Sequence, residues 1–272
     1  MDYINLNGRI MTAEKAGIPI DNGAFRYGYG LFETMVVING AIRLAAYHWE
    51  RLFAGLKLLQ LDVPVLHSPQ WLEQQVLDTV ARNNAEGLCR VRLQFFAGGG
   101  GLFGAQAGKA GFVIECFELN EEAIALNENG LVLGIAEGLA KACDMLSNVK
   151  SCNALIYAMG ARQAKAQKCN DVLLRNTAGN LIETTLANVF WIKNDIVHTP
   201  PLTDGCIAGV MRRHIIAKMP VVEASLTDDG LMTSDEVFVT NAVKGIKWVK
   251  SVNNNSYQME RVKKLHNLVF QL

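Results

Sequence analysis

The 272-residue sequence lacks any excess of charge: 26 Lys and Arg balance 26 Asp and Glu. A neutral chain has no electrostatic footprint for nucleic acid or an anionic lipid surface, so neither partner is expected. A local basic patch, enough for one phosphate, is compatible with that balance. No apolar run reaches membrane-spanning length. The opening MDYINLNGRI has no basic stretch leading into an apolar one, so no signal peptide is expected. The six cysteines, Cys89, Cys116, Cys143, Cys152, Cys169 and Cys206, contain no CxxC pair, and none stands near histidine at zinc-ligand spacing. No metal is therefore expected, and the scattered thiols fit a reducing, cytoplasmic setting. The glycine run 98–101 is not followed by GK[ST], so it is no P-loop. Repeats and low-complexity tracts are absent.

What is present is a large apolar share, 50% of the residues, ample for one large domain or two modest ones. Asn7-Gly8 and Asn39-Gly40 sit between apolar runs and predict tight hairpins. LFETMVVI (31–38) reads as a strand. Leu52, Leu56 and Leu59 recur at helical spacing and predict a helix over 45–60, with a second over 70–83. Strands follow at 90–96 and 111–117. The polar, acidic stretch 119–128 marks a linker between a smaller domain, 1–118, and a larger one, 129–272. In the second half the pattern predicts a strand at 131–136, an irregular stretch at 137–150 and an alanine-rich helix at 154–167. Short strands follow at 171–175, 181–183, 189–193 and 196–198, then a helix starting near 208. Strands at 221–224 and 237–240 are read as closing the fold. Strands and helices are interspersed without regular βαβ alternation, which predicts an α+β protein of two domains.

Each residue that could carry chemistry also has a bland reading. Lys150, in CDMLSNVKSCNAL, reads by itself as a surface lysine, because lysines are seldom buried. The alternative is an imine-forming amine whose surroundings depress its pKa. Glu183, in GNLIETTLANVFW, is either a solvent-facing strand residue or a carboxylate beside a cofactor ring nitrogen. Arg51 lies on the leucine-rich helix as a snorkelling side chain or a fork of donors for phosphate. His48, three residues earlier on the same face, is read as structural. GCIAGVMRR (205–213) is a small-residue loop entering a helix, a form that binds phosphate well but is common.

In this order the residues resemble the class IV aminotransferases, fold-type IV enzymes that use pyridoxal 5'-phosphate (PLP). The resemblance runs from the first hairpin to about Trp248. It rests on FRYGYGLFET (25–34), HWERL (48–52), VKSCN (149–153) and, most specifically, the stretch from Asn170 to Arg212. The resemblance implies a two-domain α+β fold of the D-amino-acid aminotransferase type, a small amino substrate and a homodimer. It makes Lys150 the residue that carries PLP and Glu183 the partner of the pyridine nitrogen. Arg51 would hold the phosphate, Ile207 would pack on the ring, and the N–H groups of Val210 and Met211 would cradle the phosphate. Asn241 and Ala242 would form the last phosphate-contacting turn. Tyr27, Phe32, Thr34 and Arg92 would line the substrate side, with Lys150 and Thr34 moving protons.

Three departures bear on the branch of the family. Leu155 stands five residues after the lysine, where branched-chain transaminases usually place a tyrosine. Asn241-Ala242 looks like the turn of the 4-amino-4-deoxychorismate lyases rather than the hydroxyl-bearing turn of transaminases. No Arg-x-His pair follows FFAGGGGLF, as it does in the D-amino-acid enzymes. On the other side, Gly100 stands where some lyases have arginine, and Arg92 and Tyr27 match branched-chain enzymes. The expectation is a lyase that releases pyruvate and 4-aminobenzoate. A branched-chain or related transaminase is the alternative, and a non-catalytic PLP carrier is a third reading. The loop at 98–104 is expected to shape the substrate pocket.

Overall fold

A computed structural model describes residues 2–100 and 108–270. The chain forms two compact units. Met1–Ala123 and Lys150–Ala154 make up the first, and Ile124–Val149 and Leu155–Leu272 the second. The short return of 150–154 to the first unit has no signature in composition. Both units mix helix and strand, as the α+β reading expects.

Among the described residues the first unit has one six-stranded antiparallel sheet. Its strands are β1 (Tyr3–Leu6), β2 (Arg9–Thr12), β3 (Gly30–Ile38), β4 (Ala41–Ile42), β5 (Leu88–Phe96) and β6 (Gly111–Glu118), in the order β2-β1-β6-β5-β3-β4. The two Asn-Gly turns make the hairpins β1–β2 and β3–β4, closing on Leu6↔Arg9 and Ile38↔Ala41. Its helices are α1 (Gly23–Tyr27), α2 (Ala45–Leu58) and α3 (Pro69–Arg82). Asn22 caps α1 by accepting from the N–H groups of Ala24 and Phe25. Ser68 caps α3 and Pro69 occupies its first turn, which is why that helix starts where it does. Leu52 and Leu56 of α2 and Leu72, Val76 and Val80 of α3 are buried.

The helix α4 (Glu121–Ile124) lies within the expected linker and leads into the second unit. There, among the described residues, nine strands share one sheet: β7 (Leu131–Lys141), β8 (Asp171–Asn176), β9 (Leu181–Thr184), β10 (Asn188–Lys193), β11 (Ile196–Thr199), β12 (Val222–Glu223), β13 (Glu236–Asn241), β14 (Gly245–Val252) and β15 (Asn255–Ser256). Strand β9 pairs with both β8 and β10, so β10-β13-β14-β7-β8-β9 closes on itself. Leu133, Leu173, Val189, Val237, Val239 and Val249 fill its core. The helices are α5 (Leu155–Ala166), α6 (Val210–Lys218), α7 (Asp228–Met232) and α8 (Glu260–Phe270). No helix among the described residues is long and apolar enough to cross a membrane.

Two expectations are corrected. The fold does not close at residue 240: β14 follows and lies centrally, between β13 and β7. Its KWVK pattern hid it, because Lys247 is buried and its amine reaches the Ala125 carbonyl. Nor is the whole of 137–150 irregular. Strand β7 runs on to Lys141 through a register shift between Ile135 and Ala140, with Gly138 at φ +66°. A left-handed glycine lets the strand bulge and resume its pairing, at Ala140↔Arg175 and Lys141↔Asn176.

Candidate active site

In the first unit the lysine segment is held against the start of β3. The Phe32 N–H donates to the Lys150 carbonyl at 3.0 Å, and the Cys152 N–H donates to Gly30 O at 2.8 Å. Glycine makes this approach possible. A Cβ at Gly30 would meet Phe95 O at 2.4 Å and Cys152 Sγ at 3.1 Å, and one at Gly28 would meet the Asn153 backbone at 3.1 Å. The Gly-x-Gly of FRYGYGLF is thus a docking surface for the backbone that carries Lys150.

Strand alternation then sorts the neighbours. Phe32 and Thr34 share the half-buried face of β3 with Arg92 and Gln94 of β5, paired Thr34↔Arg92 and Phe32↔Gln94. Lys150 Nζ lies 4.6 Å from the Phe32 ring centroid and Arg92 Cζ 3.7 Å from it. Arg92 donates from Nε at 3.2 Å and from Nη2 at 2.6 Å to Gln94 Oε1. Burial pushes the Arg92 pKa down, although a guanidinium stays charged at any working pH. Tyr27 lies exposed at the end of α1. Residues 101–104 of the loop expected to shape the pocket lie outside the described residues.

Glu33 points to the opposite, fully buried face, toward α2. It accepts from Arg51 Nε at 2.8 Å, Arg51 Nη2 at 2.5 Å and His48 Nδ1 at 2.6 Å. Burial opposes its charge, but Arg51 and His48 outweigh that and hold the carboxyl at about 2. His48 is structural, as expected, and Arg51 has its orientation fixed by a bidentate pair. Glu33 was legible in principle: alternation places it with Leu31 and Met35 on an apolar face, where a carboxylate needs a cation.

In the second unit, Glu183 sits at the strand pairing that closes the sheet, opposite Leu174 of β8 and Asn188 of β10. It is 2% exposed, not solvent-facing. Its Oε1 accepts from Lys141 Nζ at 2.6 Å and Tyr157 OH at 2.8 Å, and its Oε2 accepts from the Ile207 N–H at 2.8 Å. Asn188 Nδ2 donates to Ile207 O at 2.8 Å, and Asn148 Nδ2 donates to Leu202 O and Cys206 O, which fixes the loop before α6. Helix α6 begins at Val210 with no side-chain cap, and Val210 and Met211 are buried in its first turn. The first N–H groups of a helix have no partner within it. Asn241 is engaged in its own turn: Oδ1 accepts from the Val243 and Lys244 N–H groups, and Nδ2 donates to Leu186 O. Ala242 forms the same turn without a hydroxyl. Lys141, Tyr157, Asn148 and Asn188 had no local signal, because each is defined by a partner distant in sequence; Gln94 stands two residues from its partner Arg92 on one strand face.

The donor set fits PLP. A carboxylate has about four lone-pair sites. Three on Glu183 are filled, which leaves one on Oε2 for a pyridinium N–H. The uncapped start of α6 suits a phosphate.

Comparison with known proteins agrees. The sequence profile of the amino-transferase class IV family matches residues 30–252. The aminodeoxychorismate lyase of Bacillus subtilis is 32% identical over 258 residues, 88% of this chain and 83% of that one. The aminodeoxychorismate lyase of Vibrio harveyi is 28% identical over 246 residues, 87% of this chain and 88% of that one. Among solved structures, a branched-chain aminotransferase from Thermoproteus uzoniensis superposes with a TM-score of 0.89 at 22% identity, covering 98% of this chain and 93% of that one, a likeness of fold. The chain belongs to the class IV aminotransferases, a family of PLP-dependent enzymes.

Proposed function

We propose that this enzyme is a 4-amino-4-deoxychorismate lyase, cleaving its substrate to 4-aminobenzoate and pyruvate. The observation that carries this reading concerns α5. Leu155 replaces the tyrosine of the branched-chain enzymes, and the next phenol, Tyr157, is committed to Glu183. The two lyases that match most of the chain point the same way.

PLP, when bound, draws electrons from the amine-bearing carbon of the substrate. Lys150 would carry the cofactor, and its amine, when free, would remove the proton from that carbon. Glu183 would hold the ring nitrogen; Arg51 would hold the phosphate, as would the N–H groups of Val210 and Met211. Asn241 and Ala242 would form the last turn that contacts it, and Ile207 would pack on the ring. As the carbon–oxygen bond to the enolpyruvyl group breaks, Lys150 or Thr34 returns a proton to the departing group, which leaves as pyruvate. Arg92 and Tyr27 bind carboxylate, with Phe32 beneath Arg92. A branched-chain or related transaminase is the second reading, favoured by the Phe32 ring having both Arg92 and Lys150 within cation–π distance.

A homodimer is part of the proposal, supported by exposed Phe25, Met145, Leu155 and Leu186. So is a cytoplasmic location, supported by six free cysteines. Sedimentation at the monomer mass would remove the dimer.

The test is a split assay on PLP-loaded protein. One part receives aminodeoxychorismate, and 4-aminobenzoate is followed by fluorescence. The other receives leucine, isoleucine, valine, glutamate or D-alanine with 2-oxoglutarate or pyruvate, and keto acid is followed. Aminobenzoate without keto acid supports the lyase, and the reverse result replaces it with the transaminase.

A further inference from the structure

The carboxylate assigned to the cofactor ring already has a cation. Lys141 Nζ is 2.6 Å from Glu183 Oε1, and the two side chains are 11% and 3% exposed. The same oxygen accepts from Tyr157, and Lys141 Nζ lies 5.3 Å from the Tyr157 ring centroid. Lys141 arrives there because β7 resumes pairing after its bulge, at Lys141↔Asn176. Tyr157 arrives because α5 packs on Ala136, Val172 and Leu174. Burial, reinforced by the Glu183 charge, pushes the Tyr157 phenol up, so it stays protonated and donates.

We propose that Lys141 and Tyr157 are positioning residues that hold the Glu183 carboxylate and offset part of its charge, so that the site is formed before PLP enters. The proposal rests on the reading of Glu183 as the partner of the pyridine nitrogen. A buried carboxylate without a counter-ion is costly, and it takes up a proton or disrupts its surroundings. With Lys141 in place, Glu183 is paired and oriented in the cofactor-free protein. Its two oxygens then differ: Oε1 is saturated, whereas Oε2 has one acceptor position left beside the Ile207 N–H. A pyridinium entering there meets a carboxylate shared with an ammonium, so its attraction is weaker than to an unshared one. Lys141 therefore stabilises the empty protein more than the loaded one.

The consequence is readable without activity. For wild type, Lys141→Met, Lys141→Arg and Tyr157→Phe, the melting midpoint is measured with and without saturating PLP. Lys141→Met should lower the midpoint of the PLP-free protein, and PLP should then raise it by several degrees more than in wild type. Lys141→Arg, which keeps the charge, should restore the wild-type increment. Tyr157→Phe should move it in the same direction as Lys141→Met, by less, and decides the matter if Lys141→Met does not fold. Equal increments in wild type, Lys141→Met and Tyr157→Phe would leave Lys141 and Tyr157 as packing residues only and overturn the proposal. No increment even in wild type would remove the PLP reading of Glu183 itself, and the proposal with it.

Discussion

The Arg51 guanidinium grips the Glu33 carboxylate with two nitrogens, Nε at 2.8 Å and Nη2 at 2.5 Å, while His48 takes Oε2 from the same helix. Because the Glu33 pKa falls from 4.5 to about 2 on folding, its stabilising contribution is complete above 4.5 and is lost as the pH drops toward 2. The shift corresponds to about 3 kcal/mol. Glu33→Gln should therefore be less stable than wild type near neutral pH. The gap, measured by chemical denaturation, should narrow steadily as the pH falls from 4.5 to 2. A gap that stays constant over that range would show that Glu33 acts there without its charge.

Lys150 should be the point of covalent attachment. Borohydride reduction of PLP-loaded wild type should add the cofactor mass to the peptide containing Lys150, and Lys150→Ala should show no such adduct. An adduct on another lysine would refute the assignment. Glu183→Gln should retain PLP but lose roughly 100-fold or more in turnover, the usual scale for removing one well-placed electrostatic partner.

Gly30 should tolerate no side chain. The added methyl of Gly30→Ala falls 2.4 Å from Phe95 O. The resulting shift should cost about 1–3 kcal/mol by denaturant unfolding. It should also weaken PLP attachment, because Gly30 O accepts the Cys152 N–H two residues after Lys150. Wild-type stability and attachment would show that β3 and the lysine segment adjust freely.

Arg92 should act in substrate binding. Arg92→Leu removes the cation over Phe32 and should raise KM about tenfold with kcat little changed, the signature of uniform binding. Gln94→Leu frees Arg92 from its acceptor and should do the same more weakly. A fall in kcat at constant KM would place Arg92 in the chemical step instead.

The residue pattern alone pointed to the family, the α+β class and most elements, and singled out Lys150, Glu183 and Arg51 as candidates. Hairpin turns, helical leucine spacing and the motif around Lys150 are local, and each is complete within a dozen residues. Folding in three dimensions is what sets Glu33 against Arg51, joins Lys141 and Tyr157 at Glu183, resumes β7 after its bulge and makes β14 central. Lys141 and Glu183 lie 42 residues apart and Glu33 and Arg51 lie 18 apart. Nothing in the residues near Lys141 distinguishes it from a solvated lysine. A buried ion pair is a property of two chain segments brought together by sheet closure or helix packing, so the residues next to Glu33 or Glu183 in sequence do not name its partner.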